Sequence, residues 1–120
     1  MLRYDGQLLI AHGSSNARWR VPFETMTHAL ATRHPGRAIR LCYLEKSQPD
    51  VPTALDDLYR QGCRRLRVSP LFISHGRHLE HDLPRLLDAY RQKRPDVFIE
   101  AEEALGEQRP FLHSLIDLLA

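Results

Sequence analysis

Four short apolar segments alternate along the chain with four longer amphipathic ones, and this alternation restricts the possible folds more than any other feature. The short segments are rich in β-branched or large apolar residues and are predicted to be strands: Gln7–Ala11, Ala38–Leu44, Leu66–Ile73 and Val97–Ala101. The longer ones carry apolar residues at helical spacing and are predicted to be helices: Pro22–Arg33, Val51–Gln61, His78–Lys93 and Gln108–Leu119.

The connections between successive strands are too long for hairpins, which predicts parallel strands joined by right-handed crossovers. The expected fold is therefore a three-layer α/β domain, a four-stranded parallel sheet flanked by helices. The chain length of 120 residues suits one domain, residues 1–120. We expect the first and third strands to be buried on both faces. Gly62 is predicted to cap the second helix, and Pro35 and Gly36 to end the first.

Composition excludes several classes of protein. Seventeen Lys and Arg residues nearly balance fifteen Asp and Glu residues, which argues against a nucleic-acid-binding protein. The first apolar run is too short for a secretion signal or a membrane span. Two cysteines, Cys42 and Cys63, are too few for a disulfide framework, so a reduced cytoplasmic protein is expected. The sequence also lacks the Gly-rich and Walker motifs of nucleotide sites, and we expect no organic cofactor.

Imidazole and carboxylate side chains follow the predicted strands at the edge where parallel α/β sheets bind ligands. His12 comes directly after the first strand, Glu45 ends the second, and His78 follows the third. Two imidazoles and one carboxylate suit an open site for a divalent metal. Each residue also has a plainer explanation: His12 as a hydrogen-bonded end-cap, and Glu45 as a solvated strand end.

The segment after the third strand holds His75, His78 and His81 at a spacing of three, with Asp82 four residues beyond His78. A helix that starts near Arg77 places His78 in its first turn, leaning back toward the strand end. His81 lies one turn further away, where a solvated surface position fits it better. The remaining histidines are expected at surface or interface positions: His28, His34 and His113.

Three segments resemble the small, single-half form of the sirohydrochlorin chelatases, the cobalt- or iron-inserting enzymes of cobalamin and siroheme synthesis. They are LLIAHGSS (Leu8–Ser15), YLEKSQP (Tyr43–Pro49) and PLFISHGRHLEHDLP (Pro70–Pro84). The third corresponds to the family pattern Pro-x-Phe-Leu-x-x-Gly-x-His-x-x-x-Asp-Ile-Pro, with Ile73 and Leu83 as mild substitutions. The resemblance covers most of the first 84 residues. It implies a flavodoxin-like half of a class II chelatase.

The resemblance implies that His12 and His78 handle the metal and act in catalysis, and that Glu45 is a further metal ligand. Asp82 matches the acid of the family motif, whereas His75 stands at a variable position and receives no role. The metal, Co²⁺ or Fe²⁺ with Ni²⁺ left open, would be a substrate together with sirohydrochlorin. Larger members join two such halves in one chain, so a single half implies a homodimer.

Sirohydrochlorin carries eight carboxylates, so cations and hydrogen-bond donors near the strand ends are expected to bind it. These substrate-binding candidates are Ser14, Arg18, Lys46, Gly76 and Arg77, with Arg20 in the same region. Taken singly, each cation also fits ordinary solvated surface charge. Two alternatives to a chelatase remain open: a non-catalytic metal-binding or metal-delivery protein on the same fold, and a flavodoxin-like interaction module whose histidines are incidental.

Overall fold

A computed structural model describes residues 3–74 and 76–120, except for the side chains of residues 77–79. Over these residues, four parallel strands form one sheet in the order β2-β1-β3-β4. The strands are β1 (Gly6–Ala11), β2 (Ala38–Tyr43), β3 (Arg65–Pro70) and β4 (Phe98–Ala101). The helices are α1 (Val21–Arg33), α2 (Val51–Arg60), α3 (Gly76–Lys93) and α4 (Arg109–Leu119). The predicted parallel sheet flanked by helices is confirmed.

The central strand β1 is buried along all six of its residues because it lies between β2 and β3 and beneath helices. Its apolar side chains join those of the neighbouring strands and of α2 and α3 in one core. The core residues from the sheet include Leu8, Ile10, Cys42, Leu66 and Val68, and those from the helices include Ala54, Leu55, Leu58, Leu83, Leu87 and Tyr90. Burial of β1 on both faces was predicted and is observed.

The prediction of two-sided burial is wrong for β3. Buried and more accessible residues alternate along this strand, because Arg67 and Ser69 place polar groups on the face opposite the core. Arg67 donates two hydrogen bonds, of 2.6 and 2.8 Å, to the carboxylate of Glu102. Strand β3 also ends at Pro70, three residues before the predicted end, because Phe72 and Ile73 pair with the loop after β4 instead.

Helix α2 ends, as predicted, with a cap at Gly62, whose φ is positive. Gly62 has a φ of 97°. The Gly62 N–H donates to the carbonyl of Tyr59, and the Cys63 N–H donates to the carbonyl of Leu58, both at 3.0 Å. This pair of bonds is the Schellman motif, which a left-handed residue at this position makes possible.

Helices α1 and α4 bury no residue fully, although both carry apolar stripes. Met26 of α1 is 45% exposed, and Leu86 of α3 is 37% exposed. The last turn of α4 leaves Ile116, Leu118 and Leu119 in solvent. Among the described residues, none of the helices combines the length and the apolar character that crossing a bilayer requires.

Candidate metal-handling site

His12 and Glu45 meet at the carboxyl edge of the sheet. His12 directly follows β1 and Glu45 lies two residues beyond β2, and the register pairs Ala11 with Tyr43 at the ends of these adjacent strands. The His12 Nε2 atom lies 3.0 Å from Glu45 Oε1. Both side chains remain in solvent, at 62% and 51% exposure, so an incoming ion can reach either one.

The approach of the two loops depends on Gly13. Its φ is +103°, and a Cβ atom there would lie 1.8 Å from the carbonyl oxygen of Glu45. Two backbone hydrogen bonds continue the pairing of β1 with β2 beyond the ends of the strands. The Leu44 N–H donates to the carbonyl oxygen of Ala11 at 3.1 Å, and the Glu45 N–H donates to the carbonyl oxygen of His12 at 3.2 Å. Glycine is therefore required between His12 and Ser14, because a side chain would push the Glu45 backbone away.

A buried serine also links the same two loops. Ser47 is 8% exposed, and its hydroxyl donates to the carbonyl oxygen of Ser14 at 2.8 Å. The Ser14 hydroxyl accepts a hydrogen bond from the Asn16 N–H at 3.1 Å. The Asn16 side-chain oxygen in turn accepts from the backbone N–H of Arg18 at 3.0 Å. These contacts start the short 3-10 helix Ala17–Arg20. The loop that carries His12 is thus held by local bonds.

The cationic candidates of these loops are exposed or partly exposed. Lys46 is exposed and has a φ of 61°, in a tight turn closed by the Ser47 N–H, which donates to the Glu45 carbonyl at 2.8 Å. Arg18 is exposed in the 3-10 helix, and Arg20 is half-buried at its end. These side chains are available to an anionic ligand.

The loop after β3 is described in part. Gly76 is the first residue of α3, two residues before the predicted start at His78, and has a φ of 64°. His78 lies in the first turn of α3, while its side chain and that of Arg77 are outside the described residues. His75 is also outside them. His81 is exposed on α3, in keeping with a surface position. Within the described part of the chain, no group of three potential metal ligands converges.

A second glycine joins the loops after β3 and β4. A Cβ on Gly106 would lie 2.3 Å from the carbonyl oxygen of Ile73. The Gly106 N–H donates to that oxygen at 2.8 Å, and the Leu105 N–H donates to the carbonyl oxygen of Phe72 at 3.0 Å. The carboxyl edge is therefore built from two loop pairs, each held by direct backbone contact at a glycine.

A small apolar cavity of about 280 Å³ opens beside His12. Its aromatic walls come from Trp19, Phe23 and Tyr43, and Arg20 also lines it. Burial raises the pKa of Tyr43, which is 4% exposed, whereas Trp19 is 67% exposed. The sequence patterns did not predict this cavity. The available signal was the position of the sole tryptophan shortly after the first strand.

Two other features do not contribute ligands to this edge. Cys42 and Cys63 are buried free thiols, and burial raises the pKa of Cys42 to about 12, so it is protonated at neutral pH. A wider cavity of about 600 Å³ lies at the amino edge of the sheet, where its lining includes Arg3, Arg33 and Arg37. Its cationic lining does not suit a metal ion.

The fold and this geometry define a class of parallel α/β domains that present an exposed imidazole and carboxylate together at the carboxyl ends of two adjacent strands. Comparison with protein families identifies the class more narrowly. The chain belongs to the CbiX family, whose family model matches residues 6–120.

Relatives and solved structures agree with this assignment. The sirohydrochlorin cobaltochelatase of Methanothermobacter thermautotrophicus is 31% identical over 86 residues, which cover 68% of this chain and 57% of that protein. The crystal structure of a CbiX protein from Marinobacter aquaeolei VT8, provisionally assigned to cobalamin (vitamin B12) biosynthesis, is similar at a TM-score of 0.81 and 30% identity, covering 95% of this chain and 92% of that one. The match therefore spans a little over half of the cobaltochelatase and nearly all of the solved CbiX chain.

A longer chelatase shares the fold. The sirohydrochlorin chelatase SirB from Bacillus subtilis subspecies spizizenii, solved in complex with cobalt, is similar at a TM-score of 0.77 and 19% identity. The alignment covers 94% of this chain and 50% of SirB, so the described fold corresponds to half of that longer chain.

Proposed function

We propose that residues 1–120 form one chelatase domain that inserts Co²⁺, Fe²⁺ or Ni²⁺ into sirohydrochlorin, for cobalamin or siroheme synthesis. The observation that carries the proposal is the exposed pair of His12 and Glu45, 3.0 Å apart at the sheet edge of a CbiX-family chain. The activity named for the cobaltochelatase relative supports the choice of substrate. The reduced cysteines are compatible with a cytoplasmic enzyme.

The metal-binding step follows from the chemistry of the pair. Imidazole and carboxylate together accept divalent iron, cobalt, nickel or zinc, so the ligands alone do not select one of them. A site with few protein ligands keeps open coordination positions. An ion held by His12 and Glu45 would retain positions for the nitrogens of the macrocycle, and could leave the protein by exchanging ligands. We propose His78, in the first turn of α3, as the third metal-handling group.

Insertion also releases two protons from the pyrrole nitrogens. A neutral imidazole accepts protons in the range where the reaction must run, and general bases placed in this way accelerate reactions by roughly 10²–10⁴-fold. His12 is held at a rigid strand end, and its exposure leaves it accessible to a bound macrocycle. We therefore assign proton acceptance, together with metal handling, to His12 and His78.

The carboxylates of sirohydrochlorin require cations and donors around this edge. We propose that Arg18 and Lys46, both exposed on the loops that carry the pair, bind them. Ser14, Gly76 and Arg77 complete the proposed substrate-binding set, Ser14 through a donor in the loop after β1 and Gly76 through a donor at the start of α3. Partly exposed Arg and Lys side chains attract carboxylates at long range and lose this attraction as salt screens it.

We also propose that the chain acts as a homodimer. His12 and Glu45 are more than half exposed, so their side of the sheet is open to a second copy that would enclose a macrocycle between two lobes. The 50% coverage of SirB supports an arrangement in which two copies correspond to one longer chain. Light scattering of the 120-residue chain at micromolar concentration should give twice the monomer mass. A fully active monomer would exclude this arrangement.

The function is tested by mixing the purified protein with an excess of sirohydrochlorin and Co²⁺ and following the absorption spectrum. A chelatase forms many equivalents of metallated product per protein. A metal-delivery protein binds Co²⁺ in equilibrium dialysis but produces no turnover, and an interaction module does neither. A spectrum that changes no faster than in the absence of protein would reject the chelatase proposal.

A further inference from the structure

We propose that the apolar cavity beside His12 seats one ring of the tetrapyrrole, with Trp19 as the side chain that positions it. This inference rests on the proposed function and adds a subsite to it. The observations that support it are the aromatic walls of the cavity, its volume, the exposure of the indole and the position of a guanidinium in the same wall.

The size of the cavity limits what it holds. Pockets that enclose drug-sized ligands measure roughly 300–1,000 Å³. At about 280 Å³, this cavity falls just below that range and accommodates a single substituted ring rather than a whole macrocycle. Since His12 lines the same cavity, a ring seated there would hold the central nitrogens of the macrocycle over the metal-handling pair.

The chemistry of the walls matches one carboxylated pyrrole-type ring. Trp19 and Phe23 present largely apolar surface on which a flat conjugated ring can stack, and the buried Tyr43 completes the aromatic lining. Arg20 supplies a positive charge for a carboxylate on the edge of that ring. Glu24 is a negative charge near Arg20. Both residues act on the pKa of the buried Tyr43, which Glu24 raises and Arg20 lowers.

The exposure of Trp19 is itself informative. The indole is 67% exposed although the 3-10 helix that carries it is anchored by the Trp19 N–H, which donates to the Asn16 carbonyl at 3.1 Å. A large aromatic side chain that stays in water at the rim of an apolar cavity is a feature of binding surfaces. Because so little of the ring is buried, its removal should affect ligand binding far more than folding.

The test compares Trp19→Ala and Trp19→Phe with the wild-type chain, with Met26→Ala as the matched control for loss of an exposed apolar side chain on the neighbouring helix. Sirohydrochlorin affinity is measured without metal, Co²⁺ affinity without tetrapyrrole, and KM and kcat in the chelation assay. Circular dichroism and thermal unfolding verify the fold. Trp19→Leu, which keeps an apolar side chain but no ring, replaces the alanine variant if that variant unfolds.

We expect Trp19→Ala to raise the Kd and KM for sirohydrochlorin about 10-fold, a scale typical of losing one aromatic stacking partner. kcat should change less than about 3-fold, Co²⁺ affinity should stay constant, and Trp19→Phe should stay close to wild type.

Unchanged sirohydrochlorin affinity in a Trp19→Ala enzyme that still chelates would overturn the subsite and leave the proposed function intact. A parallel loss of Co²⁺ affinity would overturn it in favour of a structural role. A wild-type chain that neither binds nor metallates sirohydrochlorin would overturn both proposals.

Discussion

A Cβ atom on Gly13 would lie 1.8 Å from the carbonyl oxygen of Glu45, so the backbone that follows β1 touches the backbone that follows β2. With the two backbones in contact, the side chain of His12, next to Gly13, meets the side chain of Glu45. The distance from His12 Nε2 to Glu45 Oε1 is 3.0 Å. The arrangement of the proposed metal-handling pair therefore depends on the absence of a side chain between His12 and Ser14.

Gly13→Ala should destabilise the protein, because alanine combines a backbone clash with a φ of +103° that L-residues rarely adopt. We expect a loss of at least about 2 kcal/mol in the free energy of unfolding, measured by urea denaturation. Gly36→Ala is the matched control, since no atom lies within 4 Å of a Cβ built at Gly36. The control should change stability by no more than about 1 kcal/mol. Equal effects of the two substitutions would show that the loops do not need this contact.

The histidines in and just before the first turns of α3 should differ in importance. His78→Ala should lower the chelation rate by roughly 10²-fold or more, because it removes a proposed metal and proton acceptor. His81→Ala should cost much less, since His81 is exposed further along α3. His113→Ala, on α4, is the control for loss of an imidazole. If folded His78→Ala keeps near-normal turnover while His75→Ala does not, His75 is the working residue of this loop.

Sirohydrochlorin binding should weaken as salt rises. Between about 0.1 M and about 1 M NaCl the Debye length falls from about 10 Å to about 3 Å, which screens attraction between carboxylates and exposed cations. The Kd should rise over this range, and Lys46→Met combined with Arg18→Met should flatten the dependence. Arg33→Met, at the amino edge of the sheet, should leave it unchanged. A wild-type Kd that is independent of salt would remove the cationic rim from the proposal.

Glu102 should make stability depend on pH in the acid range. Although partial burial opposes the shift, hydrogen bonds from Arg67 and Ser69 lower the pKa of this carboxyl below its usual value of 4.5. A folded-state pKa below the unfolded one stabilises the fold above the unfolded pKa. This stabilisation is lost as pH falls below about 4.5 and through the folded pKa.

Glu102→Gln should therefore cost about 1–2 kcal/mol near neutral pH and much less in acid, as measured by thermal unfolding across pH. Glu107→Gln, which changes an exposed carboxylate, is the control. A Glu102→Gln penalty that stays the same from neutral to acid pH would contradict the assigned role of the ion pair.

The parts of the structure that were predictable from sequence depend on local patterns. The apolar run before His12 and the run before Glu45 each predict a strand, and parallel strands bring their carboxyl ends to one edge. That rule places both side chains at one edge of the sheet, and the pairing of β1 with β2, which was not predicted, brings them to 3.0 Å. The Schellman ending of α2 was equally predictable because Gly62 determines it within a few residues.

The features that escaped prediction depend on contacts between residues far apart in the chain. Arg67 lies within an apolar run, and its polar face makes sense only with Glu102, 35 residues later. The aromatic cavity likewise joins Trp19 to Tyr43 of the next strand, and the loops that carry them are linked by the hydrogen bond from Ser47 to Ser14, 33 residues earlier. Neither relationship has a short-range signal.

The initial rate of Co²⁺ insertion into sirohydrochlorin, compared among wild type, His12→Ala, Glu45→Gln and the double variant, tests the proposed pair most directly. Wild type should exceed the protein-free rate with many turnovers. Each single variant should lose roughly 10²-fold or more, and the double variant little beyond the worse single one, because either change disables a shared site. Variants that keep their circular dichroism and near-wild-type turnover, or a wild-type rate equal to that without protein, would contradict the assignment of His12 and Glu45 as the metal-handling centre.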